Sequence, residues 1–178
     1  VLMRAAAQEA QAQGARLVIF PELSLTGYYP ADLLDDADFT RRLETGIAQM
    51  LAESRALPEL HWVIGAPTRN TGVGKRFHNS LLVLKDGQVL LTYSKQLLPT
   101  YNIFDERRHF EPGPDVAKVL RIGNAQVGLL ICEDFWHASP PYLLWLDGAD
   151  IMVFSSVSPG RGLTDQEKLD SARWVERV

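Results

Sequence analysis

Apolar runs alternate with amphipathic stretches along the chain, and this alternation predicts its secondary structure. Runs of about four to eight apolar residues are typical of buried strands, whereas apolar residues three or four positions apart are typical of helices. The runs predict strands at 17–20, 62–65, 79–85, 88–94, 117–122, 126–131 and 150–154. The amphipathic stretches predict helices at 2–13, 39–56, 139–146 and 164–177. Strands interleaved with helices and hairpins indicate a layered α/β domain with a mixed sheet.

Turn-forming residues mark where the predicted elements end. Asp86-Gly87 separates two apolar runs, which is a strong signal for a two-residue hairpin, and Gly123-Asn124 predicts a second hairpin. We expect Asp38 to be the N-cap of the second helix, because its carboxylate can accept from the free N–H groups of the first turn. Residues 96–115 show no clear period, so we predict a long functional loop there.

Composition and charge narrow the function classes only slightly. The chain has 178 residues, of which 46% are hydrophobic and 22% charged, and this fits a single domain over residues 1–178. The net charge of -4 argues against a nucleic-acid partner. No apolar run approaches the roughly 18 residues of a membrane span, so no membrane partner is expected. The single cysteine cannot form an internal disulfide, which fits a reducing compartment or indifference to redox. We expect a cytoplasmic location.

Three residues with reactive side chains lie at or just past the ends of apolar strands, where α/β folds place their functional groups. Glu22 follows the first strand in FPELSLTGY, Lys95 follows the strand at 88–94, and Cys132 closes the run VGLLI. If each residue is considered alone, the expectation is an exposed side chain for Glu22 and Lys95 and a buried core position for Cys132. Glu106, eleven residues after Lys95, offers either a second carboxylate or an ion pair with the adjacent arginines.

Together these residue types supply what a cysteine nucleophile requires. A base must take the thiol proton, and a fixed positive charge must stabilise the developing oxyanion. The sequence contains no Gly-x-Ser-x-Gly, Walker A or Gly-x-Gly-x-x-Gly motif, so a serine hydrolase or a nucleotide-binding protein is disfavoured. The histidines also lack the mutual spacing of a zinc site, so no metal is expected; they are His61, His78, His109 and His137.

The motifs FPE, SKQLLPTY…FDE and ICEDFWH resemble the Glu–Lys–Cys signature of the nitrilase superfamily of carbon–nitrogen hydrolases, over about residues 15–163. The resemblance implies a four-layer α-β-β-α sandwich with mixed sheets, a homo-oligomer, a small-molecule amide substrate and no cofactor. Such domains begin with a strand before the first helix and continue with strands after the last helix predicted here. We therefore expect a domain that lacks its terminal strands and is incomplete at both ends.

The resemblance also implies a role for each catalytic candidate. Glu22 is the general base, Lys95 stabilises the tetrahedral intermediate, and Cys132 attacks the carbon of the C–N bond. The attack gives a thioester and releases ammonia or an amine, and water then frees the acid. Glu106 orients the lysine and the nucleophile region, and the backbone N–H of Glu133 completes the oxyanion hole.

Two branches of the family compete as models for the substrate pocket. The run LPTYNIFDERRHFEPG resembles the glutaminase domains of glutamine-dependent NAD synthetases, in which aromatic residues line the pocket for the glutamine side chain. The segment SSVSPGRGL instead resembles stand-alone amidases, where Arg161 would anchor a substrate carboxylate. The substrate-binding candidates are Tyr28, Tyr101, Phe104, Glu133, Ser156, Ser158 and Arg161.

Three functions follow from these patterns. The first is an amidase that hydrolyses a small amide through a cysteine thioester. The second is a glutaminase domain that supplies ammonia to an NAD synthetase. The third is a binding module that keeps the fold without catalysis, and the presence of all three reacting residue types does not favour it.

Overall fold

A computed structural model of the chain describes residues 2–114 and 118–157. Its helices are α1 (Leu2–Ala12), α2 (Ala37–Ser54), α3 (Glu106–His109) and α4 (Ser139–Leu146). Its strands are β1 (Leu17–Ile19), β2 (His61–Arg69), β3 (Phe77–Lys85), β4 (Gln88–Ser94), β5 (Val119–Ile122), β6 (Ala125–Ile131) and β7 (Ile151–Ser155). Two 3-10 turns, Ala31–Asp35 and Cys132–Trp136, complete the described elements. The predicted helix at 164–177 lies outside the described residues.

The strands form two mixed sheets, as expected. The first has the order β1-β2-β3-β4, with β1 parallel to β2 and the other pairs antiparallel. The second has the order β5-β6-β7, with β5 antiparallel and β7 parallel to β6. Both predicted hairpins are present, and the first turns through Asp86 and Gly87 at φ values of 46° and 73°. Positive φ at both positions matches the twist of the flanking strands.

Alternation of side chains along the central strands builds the layers. In β2, Trp62 and Ile64 pack with α1 and α2, whereas Val63 faces the second sheet. In β6, Leu129 joins the core between the two sheets, and Leu130 packs against α4 on the other side. The described residues therefore form the four-layer α-β-β-α arrangement that the resemblance implied. Full burial of each such side chain stabilises the fold by about 1.5–3 kcal/mol.

Several predicted boundaries are corrected by the structure. The N-cap of α2 is Asp36, not Asp38, because Asp36 has an extended backbone and accepts from Phe39 N at 2.7 Å. Asp38 lies inside the first turn and pairs with Arg41. Strand β2 runs well past the predicted 62–65, because β3 pairs with it out to Arg69. The predicted loop at 96–115 contains the short helix α3.

Candidate active site

The catalytic candidates Glu22 and Lys95 lie at one edge of the first sheet. Glu22 follows β1 and Lys95 follows β4, and both strands run parallel to β2, so their carboxyl ends share this edge. The second sheet meets the same edge, because Ser155 Oγ at the end of β7 donates to Phe20 O at 3.1 Å. Cys132 follows β6, the neighbour of β7. The fold thus brings three strand ends from two sheets together.

Lys95 is the centre of a buried charge cluster. Its Nζ donates to Oε1 of Glu22 and to Oε1 of Glu106, each at 2.8 Å. None of these side chains exposes more than 1% of its surface. Desolvation by itself would lower the pKa of Lys95, but the two carboxylates outweigh it and raise the pKa above its ordinary value. Lys95 is therefore a fixed positive charge, and Glu106 pairs with it rather than with the arginines that follow.

Asn79 on β3 is a member of this cluster that the sequence analysis missed. Its Nδ2 donates to Glu22 Oε1 at 2.8 Å and lies 3.5 Å from Glu106 Oε2. Its backbone oxygen accepts from Lys95 N at 2.8 Å. The sequence did contain a signal for Asn79. Residues two positions apart in a strand lie on the same face, so Asn79 shares with Leu81 the face of β3 that packs between the sheets. A polar residue at such a position calls for a buried partner.

The main chain of β2 supports the loop that carries Glu22. Leu25 N donates to Gly65 O at 3.0 Å, and Gly65 N donates to Ser24 Oγ at 3.1 Å. A Cβ atom at Gly65 would collide with the main chain of Pro21 and Leu23. Glycine at this position therefore lets the loop lie directly on the strand. Burial, with a smaller contribution from the charge of Glu106, raises the pKa of Glu22 above 4.5.

Cys132 opens the 3-10 turn after β6 with a φ of 44°. This left-handed conformation is uncommon for a residue with a Cβ atom, and such strain is concentrated at functional sites. The residue is 7% exposed. Desolvation and the charge of Glu22 raise the pKa of the thiol to about 11, against the opposing effects of Lys95 and a hydrogen bond with Ser156. The thiol is therefore protonated at neutral pH and needs a base to react.

Asp134, the second residue after Cys132, is another residue of the site that was not predicted from the sequence. The Asp134 carboxylate accepts from Tyr93 OH at 2.8 Å, Leu97 N at 2.8 Å and Ile131 N at 3.3 Å. It is fully buried, and desolvation raises its pKa. These bonds tie the segment that follows Lys95 to the turn that carries Cys132.

The three aromatic candidates form a continuous row beside the charge cluster. The rings of Tyr28 and Phe104 lie 6.4 Å apart, and those of Phe104 and Tyr101 lie 5.7 Å apart. Tyr28 OH donates to Glu106 Oε1 at 2.8 Å, and Tyr101 OH donates to Glu133 Oε2 at 2.7 Å. Burial and the carboxylate of Glu133 raise the pKa of Tyr101 to about 12. The row thus joins the buried cluster to the surface, where Tyr101 is half exposed.

A cleft of about 420 Å³ opens beside Glu133. Its walls are residues 96–101, Arg107, Pro112, Glu133 and His137. The Glu133 carboxylate lies mostly buried in this wall, with Oε1 at 3.1 Å from Nε2 of His137. The oxyanion role of the Glu133 backbone N–H stays a prediction. Of the remaining candidates, Ser156 interacts with the Cys132 thiol, and Ser158 and Arg161 lie outside the described residues.

Within residues 2–114 and 118–157, no three His, Cys, Asp or Glu side chains are grouped closely enough to hold a metal ion. The same part of the chain was searched for membrane spans, and none of its helices combines the length and hydropathy needed to cross a bilayer.

The profile of the family described as Carbon-nitrogen hydrolase matches residues 1–174. The chain belongs to the carbon–nitrogen hydrolase family. It is 37% identical over 146 residues to the glutamine-dependent NAD(+) synthetase of Xanthomonas campestris, covering 82% of this chain and 25% of that protein. It is 38% identical over 172 residues to the glutamine-dependent NAD(+) synthetase of Rhodobacter capsulatus, covering 96% of this chain and 29% of that protein. This carbon–nitrogen hydrolase chain thus spans about a quarter of the length of these curated relatives.

Solved structures share the fold of this carbon–nitrogen hydrolase. The glutamine-dependent NAD+ synthetase of Acinetobacter baumannii superposes with a TM-score of 0.80 at 33% identity, covering 89% of this chain and 29% of that one. A mutant of the amidase from Nesterenkonia sp. AN1 superposes with a TM-score of 0.79 at 25% identity, covering 98% of this chain and 64% of that one. That structure shows covalent addition of the acetamide moiety of fluoroacetamide at the active-site cysteine. The nitrilase-superfamily resemblance and the enzyme class predicted from the sequence are confirmed.

Proposed function

We propose that this chain hydrolyses the C–N bond of a small primary amide through a thioester on Cys132. The observation that carries the proposal is the buried Lys95, bonded to Glu22 and Glu106 at 2.8 Å each, beside a strained cysteine whose pKa all three groups influence. A protonated thiol next to a carboxylate of raised pKa suits general-base activation. A preformed thiolate would instead require a lowered cysteine pKa.

In the first half-reaction, Glu22 takes the thiol proton while Sγ of Cys132 forms a bond to the amide carbon. The carbonyl electron pair moves to oxygen, and the charge of Lys95 stabilises this oxyanion. When the intermediate collapses, the C–N bond breaks and Glu22 returns its proton to the nitrogen. Ammonia leaves, and the acyl group remains on sulfur as a thioester.

In the second half-reaction, Glu22 takes a proton from water as the water oxygen bonds to the thioester carbon. The C–S bond then breaks, the sulfur regains the proton, and the carboxylic acid is released. Glu106 accepts a hydrogen bond from Lys95 in every step, so the ammonium stays in position while Glu22 gains and loses a proton. Glu22 thus transfers the protons, and Glu106 positions the lysine.

The experiment measures ammonia release from propionamide and glutamine by the full-length protein, with the Cys132→Ser and Cys132→Ala variants as comparisons. We expect ammonia from the native protein and a loss of at least about 10³-fold in both variants. Mass spectrometry of the native protein, quenched during turnover, should show an acyl adduct on Cys132. Full activity in Cys132→Ala would contradict the thioester route. If neither amide releases ammonia, the result would favour the hypothesis of a non-catalytic binding module.

A second candidate is glutamine hydrolysis that supplies ammonia to an NAD synthetase, and the similarity to glutamine-dependent NAD(+) synthetases favours it. Glu133 offers a physical basis, because its mostly buried carboxylate in the cleft wall can attract the ammonium group of glutamine. Glu133→Gln should then raise KM for glutamine by about tenfold or more and leave KM for propionamide nearly unchanged. An equal rise for both amides would favour the simple amidase.

A further inference from the structure

Asn79 holds a position that joins every charged member of the cluster. Its Nδ2 contacts Glu22 Oε1 at 2.8 Å and Glu106 Oε2 at 3.5 Å, and its backbone oxygen accepts from Lys95 N at 2.8 Å. Asn79 is 1% exposed, so these contacts are shielded from bulk solvent. Asn79 donates to both carboxylates without carrying charge. Two other neutral donors each bond one of them: Tyr28 OH bonds Glu106 Oε1 at 2.8 Å, and Val157 N bonds Glu22 Oε2 at 3.2 Å.

The other end of the Asn79 amide is the oxygen Oδ1. Among the described residues, Oδ1 is a buried acceptor without a hydrogen bond. The opposite orientation of the amide would place Oδ1 against two carboxylates, so the contacts of Nδ2 fix the orientation. A buried acceptor without a donor lowers stability. An asparagine at this position therefore carries a cost to the fold, which indicates a role in the site.

The charges around Glu22 explain what a neutral donor supplies. Glu22 and Glu106 share one ammonium, so the ionised cluster carries a net charge of about -1 in a desolvated place. Burial and the charge of Glu106 both favour protonated Glu22, which could not act as a base. A second cation would keep Glu22 ionised but would also weaken its basicity toward the thiol. A neutral N–H donor stabilises the carboxylate at less cost to its basicity.

We propose that Asn79 is a positioning residue that keeps Glu22 ionised and directed at its proton-transfer partner. This inference rests on the proposed function of Glu22 as general base. Asn79 acts through Glu22 and does not itself contact the substrate carbon. Removing its donor should leave Lys95 in place but make Glu22 easier to protonate.

The test compares pH profiles of kcat/KM for amide hydrolysis in the full-length protein and its Asn79→Ser and Asn79→Leu variants. Both variants should shift the acidic limb upward by about 1 pH unit, since a hydrogen bond to a charged group is lost. At the pH optimum kcat should fall at least about tenfold, with KM nearly unchanged. Thermal stability should stay close to that of the native protein, because each substitution also removes the unpartnered Oδ1.

Asn70→Ser, in the loop between β2 and β3, is the matched control, because Asn70 bonds only loop atoms among the described residues. It should leave the profile unchanged. Glu22→Gln separates the two claims. If Glu22→Gln abolishes the acidic limb while the Asn79 variants keep the native limb, the Asn79 role is wrong and Glu22 remains the base. If Glu22→Gln keeps the native limb and activity, the general-base role of Glu22 in the proposed function fails.

Discussion

Lys95 Nζ lies 2.8 Å from Oε1 of Glu106, and both side chains are buried, at 0% and 1% exposure. The same ammonium bonds Glu22 at the same distance. Two buried carboxylates around one lysine hold it charged and leave little freedom for its position. This pairing determines what substitution of each partner should do.

Loss of the Lys95 charge should disable the site and destabilise the fold. Lys95→Met removes the charge that we propose stabilises the oxyanion, so kcat/KM for amide hydrolysis should fall by about 10²–10³-fold. It also leaves two buried carboxylates facing each other, which should lower the free energy of unfolding by about 3–5 kcal/mol. Steady-state kinetics and urea unfolding measure the two effects. Lys75→Met, at an exposed position, is the control and should change neither quantity.

The pH dependence of turnover should report the protonation of Glu22. Because the pKa of Glu22 is raised above 4.5, kcat/KM should fall as the pH is lowered through that raised value. The contribution of Glu22 to folding stability should change with pH in the opposite direction. Folded Glu22 binds its proton more tightly than the unfolded chain does, so its contribution to stability declines as pH rises from 4.5 through the raised pKa.

Glu22→Gln tests both halves of that prediction. The acidic limb of kcat/KM should disappear with a large loss of activity, and the fall in stability over the same pH window should flatten. Chemical denaturation at several pH values measures the second effect. An acidic limb that survives unchanged in Glu22→Gln belongs to another group and refutes the assignment.

Alkylation should show the thiol of Cys132 as protonated at neutral pH. Its pKa of about 11 predicts that the rate of modification by a maleimide rises about tenfold per pH unit from pH 7 to 10, without a plateau. Glu22→Gln removes a negative charge that raises this pKa, so the variant should react faster at each pH in that range. A native plateau below pH 8 would show a preformed thiolate and contradict the general-base route.

Gly65 should be required for both stability and activity, although it has no side chain to take part in the reaction. In Gly65→Ala the new methyl group collides with the main chain around Glu22, so the loop must move. We expect a loss of about 1–3 kcal/mol in stability and at least about 10²-fold in kcat/KM. Gly46→Ala in α2 is the matched control, since its Cβ would meet Leu25 Cδ2 at an ordinary 3.5 Å. That variant should keep full activity and gain up to about 1 kcal/mol from helix propensity.

The sequence by itself determined the elements and the three strand ends that carry the catalytic candidates. Periodic burial is a local property, so runs such as the one before Cys132 predict strands without knowledge of their partners. Boundaries depend on more than the local pattern. Asp36 and Asp38 are both acceptable caps by residue type, and only the backbone conformation selects Asp36.

Tertiary structure alone decided how the strand ends combine. Lys95 and Glu22 are 73 residues apart, and their contact depends on two strands that end at one sheet edge. The position of Asn79 between both carboxylates and the left-handed backbone of Cys132 likewise arise from packing between the sheets. Burial then raises the pKa values of Glu22 and Cys132. This desolvation comes from residues distant in the sequence, so no local sequence pattern predicts it. The sequence predicted the catalytic candidates, and the tertiary structure determined their burial and the direction of their pKa shifts.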